Sequence, residues 1–271
     1  NLSNINNLSY LSGIILLFAG VEVQAVHASE MENPKKQYPL AIFISSIIVF
    51  ALFTFGSLAI AAVVPNSQLQ LESGLMQALS TMLNAVNMKW VMYILAFCVA
   101  FGSLGGVLSW ISGPSKGLLS TAKDGILPET LAKTTKSGAP KNMMLIQGFI
   151  VTILACLYFV MKDVSVAFFL LSALTVAVYI IMYLMMYMAA IVLRKSQPNL
   201  ERPYKAPALP LLAGIGILAA IFALVLSFVP PSQLPIGNPA SYIAIVAIGT
   251  IGFFIIPLII AKVRKNKIIN Q

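Results

Sequence analysis

The chain has 271 residues, of which 59% are hydrophobic and only 9% are charged. Soluble globular domains carry about 25% charged residues, so this composition excludes an ordinary soluble domain and predicts a polytopic helical protein embedded in a lipid bilayer. The formal net charge of +9 does not indicate binding to nucleic acid, because the basic residues lie in short loops between apolar runs, where they act as topology signals.

Seven apolar runs follow one another along the chain, each near the roughly 20 residues that span a bilayer. They are continuously apolar rather than alternating, which favours helices over strands. We therefore predict an all-α fold with seven transmembrane helices. The runs cover residues 8–26, 40–64, 90–111, 143–161, 166–193, 209–229 and 242–261.

The basic residues predict how these runs cross the membrane. All but two of the 17 Lys and Arg residues fall in the loops after the first, third and fifth runs or in the tail, and the exceptions are Lys89 and Lys162. The positive-inside rule makes the basic side cytoplasmic. The chain is thus expected to begin outside and to end inside, which implies an odd number of further spans upstream.

Two segments between the runs carry helical patterns of their own. Residues 68–86 repeat apolar side chains every three or four positions, which predicts a helix. This helix either lies in the interface over the extracellular mouth or simply bridges two spans. Residues 129–134 are predicted to form a short cytoplasmic helix after a turn.

The third run is rich in small residues. Gly102 and Gly106 form a G-x-x-x-G spacing, which lets two helices approach closely. The pair indicates either plain helix packing or room for a ligand, and both interpretations stay open at this point.

Glu22 is the most unusual residue of the first run. It is the only acidic residue well inside any of the apolar runs, where a carboxylate costs about 2.5–3.5 kcal/mol on insertion scales and by default marks a site. Gly20 precedes it, and the polar residues Gln24 and His27 end the apolar run early.

This pattern predicts a discontinuous helix, with an outer half to about Ala19 and an inner half from about Glu22 to Met31. The backbone carbonyls at the end of the first half and the amides at the start of the second have no hydrogen-bond partners within a helix. Lipid cannot provide such partners. The two half-helix dipoles favour an amine and a carboxylate, so a zwitterionic amino acid fits, as at the broken helices of secondary transporters. The alternative is a kinked structural helix with Glu22 bonded to a neighbouring span.

Few other residues carry chemistry. The sequence shows no nucleophile–base set, metal-ligand cluster or phosphate loop, so we predict no cofactor, no metal ion and no enzymatic activity. Cys98 and Cys156 lie within apolar runs, which indicates packing rather than a disulfide. His27 is either a pH-sensing group or a solvated interfacial side chain.

Three aromatic residues lie within the runs. Trp110 belongs to the third run, and Tyr179 and Tyr183 are four residues apart on the fifth, so they share one helical face. These side chains either wall a substrate chamber or pack against neighbouring helices.

Several motifs together resemble the amino acid–polyamine–organocation superfamily, and most closely its bacterial glutamate/GABA antiporters. In that superfamily the sixth helix has a G-V-E-like break and continues into an N-P-(K/R)-x-x-(Y/V)-P loop. The matching stretches here are Gly20-Val21-Glu22 and residues 27–41 (HASEMENPKKQYPLA), 109–117 (SWISGPSKG) and 226–231 (LSFVPP).

The resemblance implies a twelve-span transporter of the LeuT type, of which this chain supplies the sixth to twelfth helices. Residues 1–193 would form the second five-helix inverted repeat, with its first helix broken. Residues 194–271 would add two transmembrane helices and a short cytoplasmic tail. An upstream half of the same transporter would complete the site.

The substrate-binding residues that the break and the resemblance predict lie on three helices. At Gly106 the sequence departs from the pattern of the glutamate/GABA antiporters, which are expected to carry an acidic residue near this position. The predicted set is Leu16, Ala19, Gly20, Val21, Glu22, Gly106, Trp110, Tyr179 and Tyr183.

The predicted function is amino-acid antiport by alternating access across the bacterial inner membrane, with glutamate exchanged for GABA or a related pair. The alternative is a membrane sensor or binding protein that does not transport, or a truncated, inactive transporter.

Overall fold

The computed structural model describes residues 8, 10–65, 68–70, 73–161, 163–202, 204–231 and 238–269. Residues 1–7, at the predicted outer terminus, and Lys162 lie outside this part of the chain. The described residues form helices and connecting turns, with no strand among them, which confirms the all-α class. The α-helices are α1 (Tyr10–Phe18), α2 (Pro34–Val63), α3 (Gly74–Ala85), α4 (Val91–Lys123), α5 (Lys141–Ala155), α6 (Leu157–Val160), α7 (Val164–Ser196), α8 (Leu209–Ser227) and α9 (Pro239–Ile269).

Six helical segments are long and apolar enough to cross a membrane among the described residues, and they correspond to the second to seventh predicted runs. In the described part of the first run, helix α1 covers nine residues and ends at Phe18, so the count of seven spans stays a prediction. The protein is a multi-pass membrane protein. The six segments are Pro34–Val63, Val91–Lys123, Lys141–Val160, Val164–Ser196, Leu209–Ser227 and Pro239–Val263.

The two short helices predicted between the runs are both present. Helix α3 forms within the predicted stretch, and the side chain of Gln77 ties it to the preceding loop through hydrogen bonds with the backbone of Gln68 (2.7 Å) and Gln70 (3.0 Å). A 3-10 helix spans Glu129–Ala132. Both predictions of helical structure are therefore confirmed, and the position of α3 relative to the membrane stays a prediction.

The chain divides into two compact units. The first comprises Asn1–Gly20, Ala28–Ala41 and Ile153–Gln271, and the second comprises Val21–His27 and Ile42–Thr152. These units group residues that are in spatial contact, whereas the predicted inverted repeat is one continuous stretch of the sequence. The inverted repeat therefore stays a prediction.

Helix α7 is central to the first unit, because its buried residues pack against α8 on one side and α9 on another. Asp163 caps it, since its carboxylate accepts hydrogen bonds from the backbone N–H groups of Ser165 (2.8 Å) and Val166 (3.3 Å), two donors without intrahelical partners. Alanines at these contacts let the helices approach closely. The buried clusters contain Val176, Ile180, Ala220 and Ala223, and Leu170, Ala173, Ala177, Tyr242 and Val246.

The second unit has its buried cluster at the C-terminal end of α4. Leu119 and Ala122 of α4 pack there against Met143 of α5, and Leu131 of the 3-10 helix Glu129–Ala132 covers them. This contact anchors the loop between α4 and α5. Helices α2 and α4 carry many large apolar side chains that are exposed. Their exposure costs little where lipid rather than water surrounds the helix.

Candidate functional site

The first apolar run is broken where the sequence predicts it. Helix α1 ends at Phe18, a turn follows, and a 3-10 helix spans Val23–Glu30. Gly20 has φ of +99°, a backbone conformation that glycine adopts readily and other residues rarely do. The predicted discontinuity is therefore confirmed. The positive φ at position 20 explains why a glycine suits this position.

The inner half differs from the expected α-helix. The segment Val23–Glu30 is a 3-10 helix of eight residues, whereas runs longer than three or four are uncommon because their hydrogen-bond geometry is poorer. Its first bond joins the backbone N–H of Ala25 to the carbonyl of Glu22 at 2.8 Å. Glu22 is half-buried and lies at the start of this segment, where its side chain belongs to the break rather than to a continuous helix.

Two glycines of α4 hold the inner segment in the second unit. A Cβ placed on Gly113 would lie 2.5 Å from Val23 Cγ1, and one on Gly117 would lie 3.6 Å from Val26 Cγ1. Residues four apart share a helical face, so this G-x-x-x-G pair forms the surface on which Val23 and Val26 rest.

The pair Gly102 and Gly106 has no close neighbour from another described segment. Apart from the backbone of α4 itself, no described atom lies within 4 Å of a Cβ placed on either glycine, and both residues are exposed. Helix packing and room for a ligand both stay open as interpretations of this pair. The same spacing at Gly113 and Gly117 was equally visible in the sequence, but only the position of the inner segment distinguishes the two pairs.

A polar contact lies beside this glycine pair. Lys116 Nζ is 3.1 Å from His27 Nδ1. An ammonium group only donates hydrogen bonds, so Nδ1 is the acceptor and a neutral His27 carries its proton on Nε2. The contact joins the inner segment to α4 at a third point, next to Val26 and Gly117.

We expect Gly113→Ala to destabilise the protein by about 1–3 kcal/mol, the usual cost of overpacking, because the added methyl group would displace Val23. Val23→Ala removes the clashing Cγ1 and should recover most of this loss in the double variant. The measurement is thermal unfolding of the detergent-solubilised protein. Gly102→Ala is the matched control on the same helix, and an equal loss in that variant would contradict the role of Gly113.

The remaining predicted residues lie in both units. Gly106 and Trp110 belong to α4 in the second unit, where Trp110 is 42% exposed. Val21 also belongs to the second unit, whereas Leu16, Ala19 and Gly20 belong to the first. Leu16 lies within α1, and Ala19 and Val21 flank Gly20 in the turn.

Tyr179 and Tyr183 form an aromatic pair on α7 in the first unit. Their ring centroids are 5.2 Å apart at an interplanar angle of 79°, and Tyr187 continues the row at 6.4 Å from Tyr183. A Cβ on Gly216 of α8 would lie 2.8 Å from Tyr187 Cζ, so the end of the row packs on α8. Sequence reasoning missed Tyr187, although its spacing of four from Tyr183 was a usable signal.

A cavity of about 320 Å³ lies within the first unit between α1, α7, α8 and Tyr242. Its lining is mostly apolar, with hydroxyl groups from Ser12, Ser172 and Ser227. None of the predicted site residues is among the described side chains that line it. In the described part of the chain, no group of three or more His, Cys, Asp or Glu side chains is placed to hold a metal ion.

The broken membrane helix and the sequence motifs around it define a class of protein. Residues 1–253 match the amino acid permease family, and the chain belongs to that family. This confirms the resemblance to the amino acid–polyamine–organocation superfamily. Members of this family are transporters rather than enzymes.

Three relatives are named transporters. An uncharacterized transporter of Legionella pneumophila is 38% identical and covers 99% of this chain and 59% of its own length. A glutamate/gamma-aminobutyrate antiporter of Lactococcus lactis is 35% identical over 98% of this chain and 54% of its own. A probable agmatine/putrescine antiporter of Lactococcus lactis is 26% identical over 99% and 58%. The chain thus spans little more than half the length of these relatives.

Proposed function

We propose that this protein is an amino-acid antiporter that works by alternating access in the bacterial inner membrane and exchanges glutamate for GABA. The observation that carries the proposal is the helix break at Gly20, with Glu22 two residues further on, in a member of the amino acid permease family. A break of this kind leaves backbone carbonyls and amides without helical partners, and an amino acid presents an ammonium and a carboxylate group that can satisfy both.

The substrate site we propose contains Leu16, Ala19, Gly20, Val21 and Glu22 from the broken helix. Residues of α4 and α7 contribute the wall, and an upstream half of the same transporter completes it. In this site Glu22 holds the inner segment in place. The wall residues are Gly106, Trp110, Tyr179 and Tyr183.

The choice of glutamate and GABA rests on the Lactococcus lactis relative of that name. Amines are the competing substrates, for two reasons. One relative is a probable agmatine/putrescine antiporter, and position 106 is a glycine, where an acidic residue is expected in a glutamate/GABA exchanger. The proposed orientation, with the start of this chain outside and its end in the cytoplasm, follows from the distribution of basic residues.

Counterflow in proteoliposomes with the protein at its natural length tests the proposal. Vesicles loaded with unlabelled glutamate, GABA, agmatine or putrescine are diluted into labelled glutamate, and we expect uptake only with internal glutamate or GABA. If labelled agmatine is taken up against internal putrescine and labelled glutamate is not taken up at all, the substrate pair is agmatine and putrescine rather than glutamate and GABA. Saturable binding of a labelled substrate without any counterflow would favour the non-transporting sensor.

A further inference from the structure

Tyr242 of α9 carries a buried hydroxyl group at the cavity of the first unit. Its side chain belongs to the buried cluster with Leu170 and Ala173 of α7 and is only 4% exposed. Within the described part of the chain, no residue forms a hydrogen bond with this hydroxyl. A buried polar group without a partner is costly, so the Tyr242 hydroxyl favours a partner inside the cavity.

Two serine hydroxyls line the same cavity of about 320 Å³, from Ser172 of α7 and from Ser227 at the end of α8. Ser227 is 2% exposed, and its hydroxyl already donates to the Leu224 carbonyl oxygen at 2.7 Å. Toward a ligand this hydroxyl can therefore only accept a hydrogen bond. The Tyr242 hydroxyl, by contrast, is able to donate one. The cavity thus offers polar groups of both kinds, all of them uncharged.

The rest of the lining is apolar. The rings of Phe168 and Phe169 meet edge to face, with centroids 5.4 Å apart at an angle of 88°, and aliphatic side chains of α1 and α8 add to the wall. No charged side chain is among the described residues that line the cavity. A zwitterionic amino acid would bury two charges there without an opposite charge to pair with, which is costly. The lining therefore suits a neutral molecule better than the proposed amino-acid substrate.

We propose that this cavity is a second binding site, for a neutral ring compound that accepts a hydrogen bond from the Tyr242 hydroxyl. Small-molecule pockets enclose about 300–1,000 Å³ and combine an apolar lining with a few polar groups, and this cavity has both properties. The two phenylalanine rings provide a face and an edge on which another ring packs favourably. Ile14 and Phe168 line the cavity and are also exposed, so a molecule dissolved in the bilayer can enter beside them.

Fluorine NMR with a matched pair of probes tests this site in the protein at its natural length. 6-Fluoro-1-tetralone has two fused rings and a carbonyl acceptor, and 6-fluorotetralin has the same rings without the carbonyl. We expect the resonances of both probes to broaden saturably in the presence of the detergent-solubilised protein. Tyr242→Phe removes only the hydroxyl. It should weaken tetralone binding about three- to tenfold, the effect of one lost hydrogen bond, and leave tetralin binding unchanged.

Tyr187→Phe is the matched control. The same hydroxyl group is removed from a tyrosine of α7 whose ring packs on α8 at Gly216, away from the described residues that line the cavity. We expect both probes to bind this variant as they bind the unsubstituted protein. An equal loss of tetralone binding in Tyr187→Phe and Tyr242→Phe would contradict a specific contact with Tyr242.

The remaining outcomes also decide the proposal. Broadening without saturation shows only partition of the probes into detergent and overturns the site, and so does the absence of binding if another part of the natural-length protein fills the cavity. Equal weakening of both probes by Tyr242→Phe, or no weakening, overturns the hydrogen bond. Displacement of the tetralone by excess glutamate or GABA overturns the separation from the substrate site. Because no measurement uses transport, this inference and the proposed antiport can fail independently.

Discussion

Glu22→Gln and Glu22→Ala are expected to lower the glutamate–GABA exchange that we propose by about tenfold to a hundredfold. Hydrogen bonds to a charged group contribute about 1.5–3 kcal/mol, and each 1.4 kcal/mol corresponds to a factor of ten. Glu22 lies at the start of the inner 3-10 segment, directly after the break, so the loss falls on the part of the chain that we propose binds the substrate. Initial rates of counterflow, normalised to reconstituted protein, measure the effect.

Glu32→Gln provides the matched control. The same chemical change is made ten residues further along, at an exposed position just after the 3-10 segment, and exchange should stay near the rate of the unsubstituted protein. Normal counterflow in Glu22→Gln would remove Glu22 from the mechanism. An equal loss in both variants would point to a general effect of charge in this region.

Gly20→Ala is expected to destabilise the protein by about 1–2 kcal/mol and to slow exchange. An L-residue is strained by about this amount in a left-handed conformation, and Gly20 has φ of +99°. The strain falls on the turn that follows α1, so we expect the backbone of that turn to be distorted. Thermal unfolding in detergent and counterflow on the same preparation measure the two effects.

Gly13→Ala is the control for this substitution. Gly13 lies inside α1 with no described atom within 4 Å of an added Cβ, and alanine is about 1 kcal/mol more favourable than glycine in a helix interior. We expect this variant to be as stable as the original or more stable. If Gly20→Ala behaves in the same way, the break does not depend on a glycine.

The helical spans could be read from the sequence because each is encoded locally. A run of about 20 apolar residues has no favourable place outside a membrane, and a helix satisfies its backbone without help from other segments. Helices α4 and α7 extend beyond the predicted runs to 33 residues each, because the polar residues at their ends still continue the helix. The boundaries were therefore less predictable than the spans.

The break was predictable for the same local reason, and its conformation was not. Gly20 and the polar residues after it weaken a helix wherever they stand, so the end of α1 at Phe18 followed from residue type. The 3-10 form of Val23–Glu30 is not encoded by these residue types, and in this segment Val23 and Val26 contact the glycines of α4. That contact joins residues about 90 positions apart.

The sequence by itself determined the membrane class, six of the long helices, the place of the break and the family. The tertiary structure decided which small residues are in contact. Gly113 rather than Gly102 supports the inner segment, Gln147 provides a donor to the Trp110 carbonyl, and Gly216 receives the ring of Tyr187. The physical reason is that lipid is as apolar as a helix surface, so hydrophobicity does not show which face of a membrane helix meets another helix. Only the positions of the neighbouring helices select that face.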